Sequence, residues 1–301
     1  MPCDICSAAT KAGFKYCPVC GALFLHTKEE AAKVLALKRA RREDGFHCEY
    51  SGALLNVTDL DDPLYLNFDH RTPGVLNDLA VSGAIINFSK GNLTYLEFPL
   101  VVHETVRHWD TGDPFNKDVV PYSAWLAGRP LVKATNARMV DMALLPRLVD
   151  AGLLLPAGNR RVCRICEKYA VTYLQKYCPR CRRLLNRSND ETWAVMAAAL
   201  KRAYLPELDG FICYHLGVVL DTFNWMSPFY LCFDHLVPDE IGNIVVSSVL
   251  ANRLKTATDE PEWHRYFRNL DRAMRGGDFE QETLEFKYWR PGKKVAGRRV
   301  A

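Results

Sequence analysis

The sequence predicts an α+β protein of two tandem repeats, each a four-cysteine zinc ribbon followed by strands and helices, joined by a helical linker and closed by a basic tail. Three observations carry that expectation. Eight of the 11 cysteines fall in four CxxC pairs, a shift of 165 positions superimposes one half of the chain on the other, and the apolar period changes from helical to strand-like at matching places in both halves. The expected bounds are 1–120 for the first repeat, 121–160 for the linker, 161–286 for the second repeat and 287–301 for the tail.

A chain of 301 residues, 49% hydrophobic and 25% charged, can bury one large or two ordinary cores, which excludes disorder as its main state. No uncharged apolar run reaches the ~18 residues that span a bilayer. The start, MPCDIC, lacks the basic flank and apolar core of a secretion signal, so a soluble, cytoplasmic protein with no membrane partner is expected. Lys plus Arg is 39 against 35 Asp plus Glu, and a net charge of +4 permits a polyanionic partner without demanding one.

The cysteine pairs are Cys3 with Cys6, Cys17 with Cys20, Cys163 with Cys166, and Cys178 with Cys181. Two thiolates two residues apart on a tight turn suit tetrahedral zinc at about 2.3 Å per bond, and two such turns close a four-thiolate site. Two structural zinc ions follow as the expectation, since a disulfide framework needs an oxidising compartment. The turns read CPVCG and CPRC, with Pro fixing the bend and Gly21 expected at positive φ. Cys48, Cys213 and Cys232 stand outside the pairs and are expected in the core.

Under the 165-residue shift Gly45, Phe46 and Cys48 fall on Gly210, Phe211 and Cys213, Asp69, His70 and Pro73 on Asp234, His235 and Pro238, and Asn87 and Lys90 on Asn252 and Lys255. Thr27 with Glu30, and Ser188 with Glu191, read as capping boxes before apolar helical stretches. GFHCEYSGALLNV with PLYLNFDH, and GFICYHLGVVLDT with PFYLCFDH, read as pairs of strands, and LNDLAVSG and IGNIVVSS as one more each. Helices are expected from about Ser82 and Ser247, then over 94–109 and 259–275.

The chemistry concentrates in Asp-His with an Asn 17 residues after the His, in both halves. Neighbours on a strand point to opposite faces, so the His can reach a substrate while the Asp faces a metal and the Asn comes from the following helix. Oxygen donors suit Mg²⁺ or Mn²⁺, and a neutral His can take a proton from water near pH 7. Lys90 and Lys255, one turn beyond the Asn, are possible phosphate contacts, and Glu97 and Glu262 read as helix N-terminal charges.

These residues resemble the ββα-metal nucleases, also called HNH or His-Me finger endonucleases. With thiolate pairs before each hairpin and the unit duplicated, the chain looks like the zinc-bearing type II restriction endonucleases built from tandem β4α2 repeats. The resemblance covers roughly 1–115 and 161–280 and implies two tandem zinc-ribbon plus ββα-metal repeats acting on double-stranded DNA. It further implies His235 and His70 as general bases, with Asp234 and Asn252, and Asp69 and Asn87, each holding one catalytic divalent ion. One departure stands out: no further His or Asn repeats beyond the middle Asn, since His264 meets Pro99 and His103 meets Arg268.

Local charge points the same way. Arg160, Arg161, Arg164, Lys168, Lys176, Arg180, Arg182, Arg183 and Arg187 surround the second cluster, and Arg290, Lys293, Lys294, Arg298 and Arg299 load the tail. The expected function is a site-specific DNA endonuclease of restriction type, acting as a pseudo-dimeric monomer or a homodimer. The alternatives are a homing, phage recombination or junction-resolving nuclease with the same site, or a non-catalytic zinc-ribbon protein that binds nucleic acid.

Overall fold

A computed structural model describes residues 1–24, 28–122, 124–125, 161–172, 174–186 and 192–289. Most of the expected linker, the tail beyond Trp289, and Thr27, Ser188 and Glu191 of the expected capping boxes lie outside the described residues. The chain is mixed helix and small antiparallel sheet. It divides into two compact units, one of Met1–Val106, Val119–Gly128 and Leu254–Ala301, the other of Arg107–Asp118 and Arg129–Arg253.

The first unit opens with a cysteine turn in which Ser7 N–H donates to the Cys3 carbonyl at 3.0 Å. The positive φ of this turn falls on Ser7, at 61°, whereas Gly21 lies inside helix α1 (Pro18–Phe24). Pro18 starts that helix because its missing N–H is one that no helix start can use. Helix α2 (Glu30–Ala40) buries Ala36 and Leu37 and packs on strand β2. Its N-cap is Glu29, in the left-handed region at φ 62°, with no side-chain cap.

Strand β1 (Leu66–His70) pairs antiparallel with β2 (Leu79–Gly83), Leu66 opposite Gly83 and Asp69 opposite Ala80. Every residue of β2 is buried, as its small and apolar composition requires of a strand covered on both faces. Helix α3 (Ala84–Lys90) follows directly and packs on both strands. Helix α4 (Glu97–Thr111) starts with a reciprocal box, Thr94 N–H to Glu97 Oε2 at 2.8 Å and Glu97 N–H to Thr94 Oγ1 at 3.1 Å. The expected first strand, GFHCEYSGALLNV, forms only isolated bridges, Arg41 with Phe46, His47 with Leu54 and Asn56 with Tyr65. Turns at Ser51 and Gly52, the latter at φ 69°, interrupt its ladder.

The second half of the chain repeats these devices. Glu167, at φ 52°, makes the positive-φ turn after Cys166. Helix α5 is Pro179–Leu185, and α6 (Trp193–Ala203) is capped by Thr192, whose hydroxyl accepts from Val195 N–H at 3.4 Å; Ser188 therefore lies upstream of the actual cap. A short ladder joins β3 (Tyr204–Leu205) to β4 (Gly210–Phe211), and GFICYHLGVVLDT otherwise contributes only bridges. Strand β5 (Leu231–His235) pairs with β6 (Ile244–Ser248), Leu231 opposite Ser248 and Asp234 opposite Val245. Each register pair lies 165 positions beyond its counterpart in β1 and β2. Helix α7 is Val249–Lys255 and α8 is Glu260–Met274, and Ser82 and Ser247 are the penultimate residues of strands, two positions before helices α3 and α7 begin.

Arginines at matching helix ends tie each hairpin down. Arg39 Nη2 donates to the Leu79 carbonyl at 2.5 Å, and Arg202 Nη2 to the Ile244 carbonyl at 3.2 Å. Both bonds reach the residue opposite the histidine that closes the first strand.

Candidate metal centres and hairpin site

Two groups of cysteine sulfurs stand out, all from buried residues except the half-buried Cys6. The Sγ atoms of Cys3, Cys6, Cys17 and Cys20 lie within 4.8 Å of one another, as do those of Cys163, Cys166, Cys178 and Cys181, and all eight cysteines are free. Cys6 Sγ lies 3.5 Å from Cys17 Sγ, and Cys166 Sγ lies 3.9 Å from Cys178 Sγ. A zinc tetrahedron with bonds of about 2.3 Å has edges of about 3.8 Å, so each cluster can hold one structural zinc ion.

Electrostatics supports the fit. Burial opposes the Cys3 thiolate, yet backbone N–H groups of Cys6, Cys17 and Ile5 hold its pKa down at about 6. Burial, then the sulfurs of Cys6 and Cys17, push Cys20 up, and the sulfurs of Cys163, Cys166 and Cys178 push Cys181 up. Four crowded thiolates cannot share a buried site unless a cation neutralises them.

Asp209 anchors the second cluster to its unit. Its carboxylate accepts from Lys168 Nζ at 2.6 Å, Tyr169 Oη at 2.9 Å, Arg180 Nη1 at 2.9 Å and Tyr204 Oη at 2.8 Å. Although burial works against it, these donors hold the carboxyl below its ordinary pKa. Lys168 and Arg180 thus serve structure, whereas Arg161, Arg164, Lys176 and Arg182 are exposed. Arg160 and Arg187 lie outside the described residues.

The Asp-His pairs sit at the ends of β1 and β5, and alternation separates the two side chains as the strand period requires. Asp69 and Asp234 are buried at 4% and 5% exposure, while His70 and His235 are half-buried. Asn87 Nδ2 lies 3.5 Å from the Phe68 carbonyl, and Asn252 Nδ2 donates to the Phe233 carbonyl at 3.2 Å. Helix and hairpin therefore bring Asp, His and Asn to one end of each hairpin. Cys48 and Cys213 are core residues as expected, but Cys232 is half-buried with its sulfur 3.7 Å from Asn252 Nδ2.

Lys90 and Lys255, expected to reach a phosphate, are 0% and 1% exposed. Lys90 Nζ donates to Asp69 Oδ1 at 3.1 Å and to the His70 carbonyl at 2.9 Å. Tyr50 Oη donates to Asp69 Oδ2, so both carboxylate oxygens already accept from protein donors. Burial pushes Asp69 up and Lys90 down, and each opposes the shift of the other. In the second half His215 Nε2 donates to Asp234 Oδ2 at 2.7 Å. Tyr50 and His215 went unnoticed in the sequence, though both lie at the 165-residue shift in stretches otherwise read as strand.

Glu97 works as the N-terminal residue it was expected to be. Its counterpart Glu262 is buried, and burial raises its pKa, offset in part by backbone N–H groups of Phe286 and Lys287. Among the described residues no helix is long and apolar enough to cross a membrane, and only the two cysteine clusters gather three or more metal-ligating side chains. No known protein family, curated protein or solved structure matches the chain.

Proposed function

We propose that the chain is a metal-dependent, site-specific DNA endonuclease of the ββα-metal type, with a restriction enzyme as its simplest role. One observation carries the reading: a hairpin with Asp-His at the end of its first strand and an Asn from the following helix occurs twice in one register, each time after a four-thiolate cluster. In the reaction, water attacks phosphorus, the bond to the 3′ oxygen breaks, and His235 or His70 takes the proton from the attacking water.

Asp234 and Asn252 would hold a Mg²⁺ or Mn²⁺ ion through one carboxylate and one amide oxygen, a donor set small enough to leave positions for water and phosphate. When bound, such an ion supplies Lewis-acid stabilisation of the departing oxygen. In the first half an ammonium and a phenol meet the Asp69 oxygens, so an ion there would displace one of them. Exposed Arg161, Arg164, Lys176 and Arg182 would meet phosphates and give binding a steep salt dependence.

The test is incubation of the zinc-loaded protein with supercoiled plasmid and genomic DNA, in Mg²⁺ or Mn²⁺ against EDTA, with His235→Ala and His70→Ala alongside. Discrete metal-dependent fragments lost in His235→Ala are expected. Conversion to a nicking enzyme by His70→Ala assigns one strand to each half. Intact DNA on plain, modified and branched substrates would transfer the assignment to a non-catalytic zinc-ribbon binding protein.

A further inference from the structure

A carboxylate outside the Asp-His-Asn set reaches the first histidine. His70 Nε2 lies 3.2 Å from Glu29 Oε2, and Glu29 Oε1 accepts the Asn77 N–H at 2.5 Å. Glu29 is only 15% exposed at its side chain, although it sits at a helix start in a left-handed conformation with φ 62°. It does not cap that helix. A non-glycine residue in that left-handed region is strained, and the carboxylate it presents reaches the hairpin instead.

Matching α2 to α6 through Leu37–Ala40 and Leu200–Ala203 places Glu29 opposite Thr192, which caps its own helix. The residue at this place in the second half therefore carries no carboxylate. A carboxylate can only accept, so a neutral His70 must carry its proton on Nε2, which leaves Nδ1 with the lone pair. The Lys90 bond to the His70 carbonyl holds the same residue from its backbone side.

We propose that Glu29 is the positioning residue of His70, locking its ring in the Nε2–H tautomer so that Nδ1 is the basic atom presented to water. The inference rests on the nuclease reading for its consequence, but the tautomer is measurable without any cleavage. In full-length, zinc-loaded protein labelled with ¹⁵N-histidine, the His70 ring assigned through His70→Gln should show a protonated Nε2 and an unprotonated Nδ1 at a pH where the ring is neutral.

Glu29→Gly, which suits the positive φ, should give mixed tautomers, and Glu29→Gln should keep the wild-type pattern because its carbonyl still accepts. In a His235→Ala background, Glu29→Gly should lower kcat for nicking by roughly ten-fold or more at an unchanged KM, and Glu29→Gln should recover most of it. An Nδ1–H tautomer in the wild type, or a Glu29→Gly spectrum like the wild type, overturns the positioning role and leaves the nuclease reading standing. The expected tautomers with no cleavage by wild type or any variant overturn the nuclease reading and His70 as its base, while the Glu29 contact remains.

Discussion

The two hairpins share a backbone register but compensate their buried aspartates differently. Asp69 accepts from the Tyr50 hydroxyl, whereas at the matching position the His215 imidazole donates to Asp234 at 2.7 Å. Tyr50 also packs edge-on against Phe98, ring centroids 5.7 Å apart, and tilted against Tyr95 at 4.8 Å, so its ring serves the core as its hydroxyl serves the carboxylate. A phenol brings a single hydroxyl to the carboxylate, while an imidazole donates from one ring nitrogen and has a second to place as well. A fold can thus hold a strand pairing constant and still exchange the chemistry that satisfies its buried charge.

The clusters differ as well. All four cysteines of the second are buried and the Asp209 hub ties that ribbon to its unit, whereas Cys6 of the first is half-buried. The largest expected effect therefore comes from Cys181→Ser, which should release zinc and unfold the second ribbon, read as halved zinc content and lost near-ultraviolet dichroism. A chelator should empty the first cluster before the second. Equal release rates would break the contrast.

Next in size is Lys90→Met, which strands a buried carboxylate and should cost about 3–5 kcal/mol in urea unfolding. The double change Lys90→Met with Asp69→Asn should recover much of that loss, and failure to do so would show that the pair is not the coupled unit. Tyr50→Phe removes one hydrogen bond to a charged group and should cost about 1.5–3 kcal/mol.

The smallest contrast is between the paired glutamates. Glu97→Gln should change stability by less than about 0.5 kcal/mol, because Gln also serves in a capping box. Glu262 has its folded pKa raised by burial, so its native state loses stability as pH climbs from the unfolded Glu value through the folded one and stays penalised above it. Glu262→Gln should raise the urea midpoint at neutral pH, with the gain shrinking to nothing in acid. A constant gain at all pH values would refute the assignment.

Much of this was legible in residue order. The CxxC pairs announced the clusters because metal turns are local, and PLYLNFDH and LNDLAVSG announced two strands through their apolar runs, though not that these two pair with each other. Glu97 was legible as a helix N-terminal charge, since that role needs only the first turn of α4. Glu29, Tyr50 and His215 were not legible, since each meets its partner across 41 or 19 positions of intervening chain. Nor was the burial of Lys90, because a lysine on an isolated helix ordinarily extends into water.

Sequence alone determined the mixed α+β class, the eight sulfurs and the Asp-His-Asn spacing, all of which depend on neighbours within a few turns of chain. Tertiary structure alone decided which groups satisfy each buried carboxylate, that Lys90 is a core cation, and that a carboxylate from a helix start reaches His70. The physical reason is that burying a charge is costly enough to recruit whichever donor packing brings within hydrogen-bond reach, and packing is not written in local spacing.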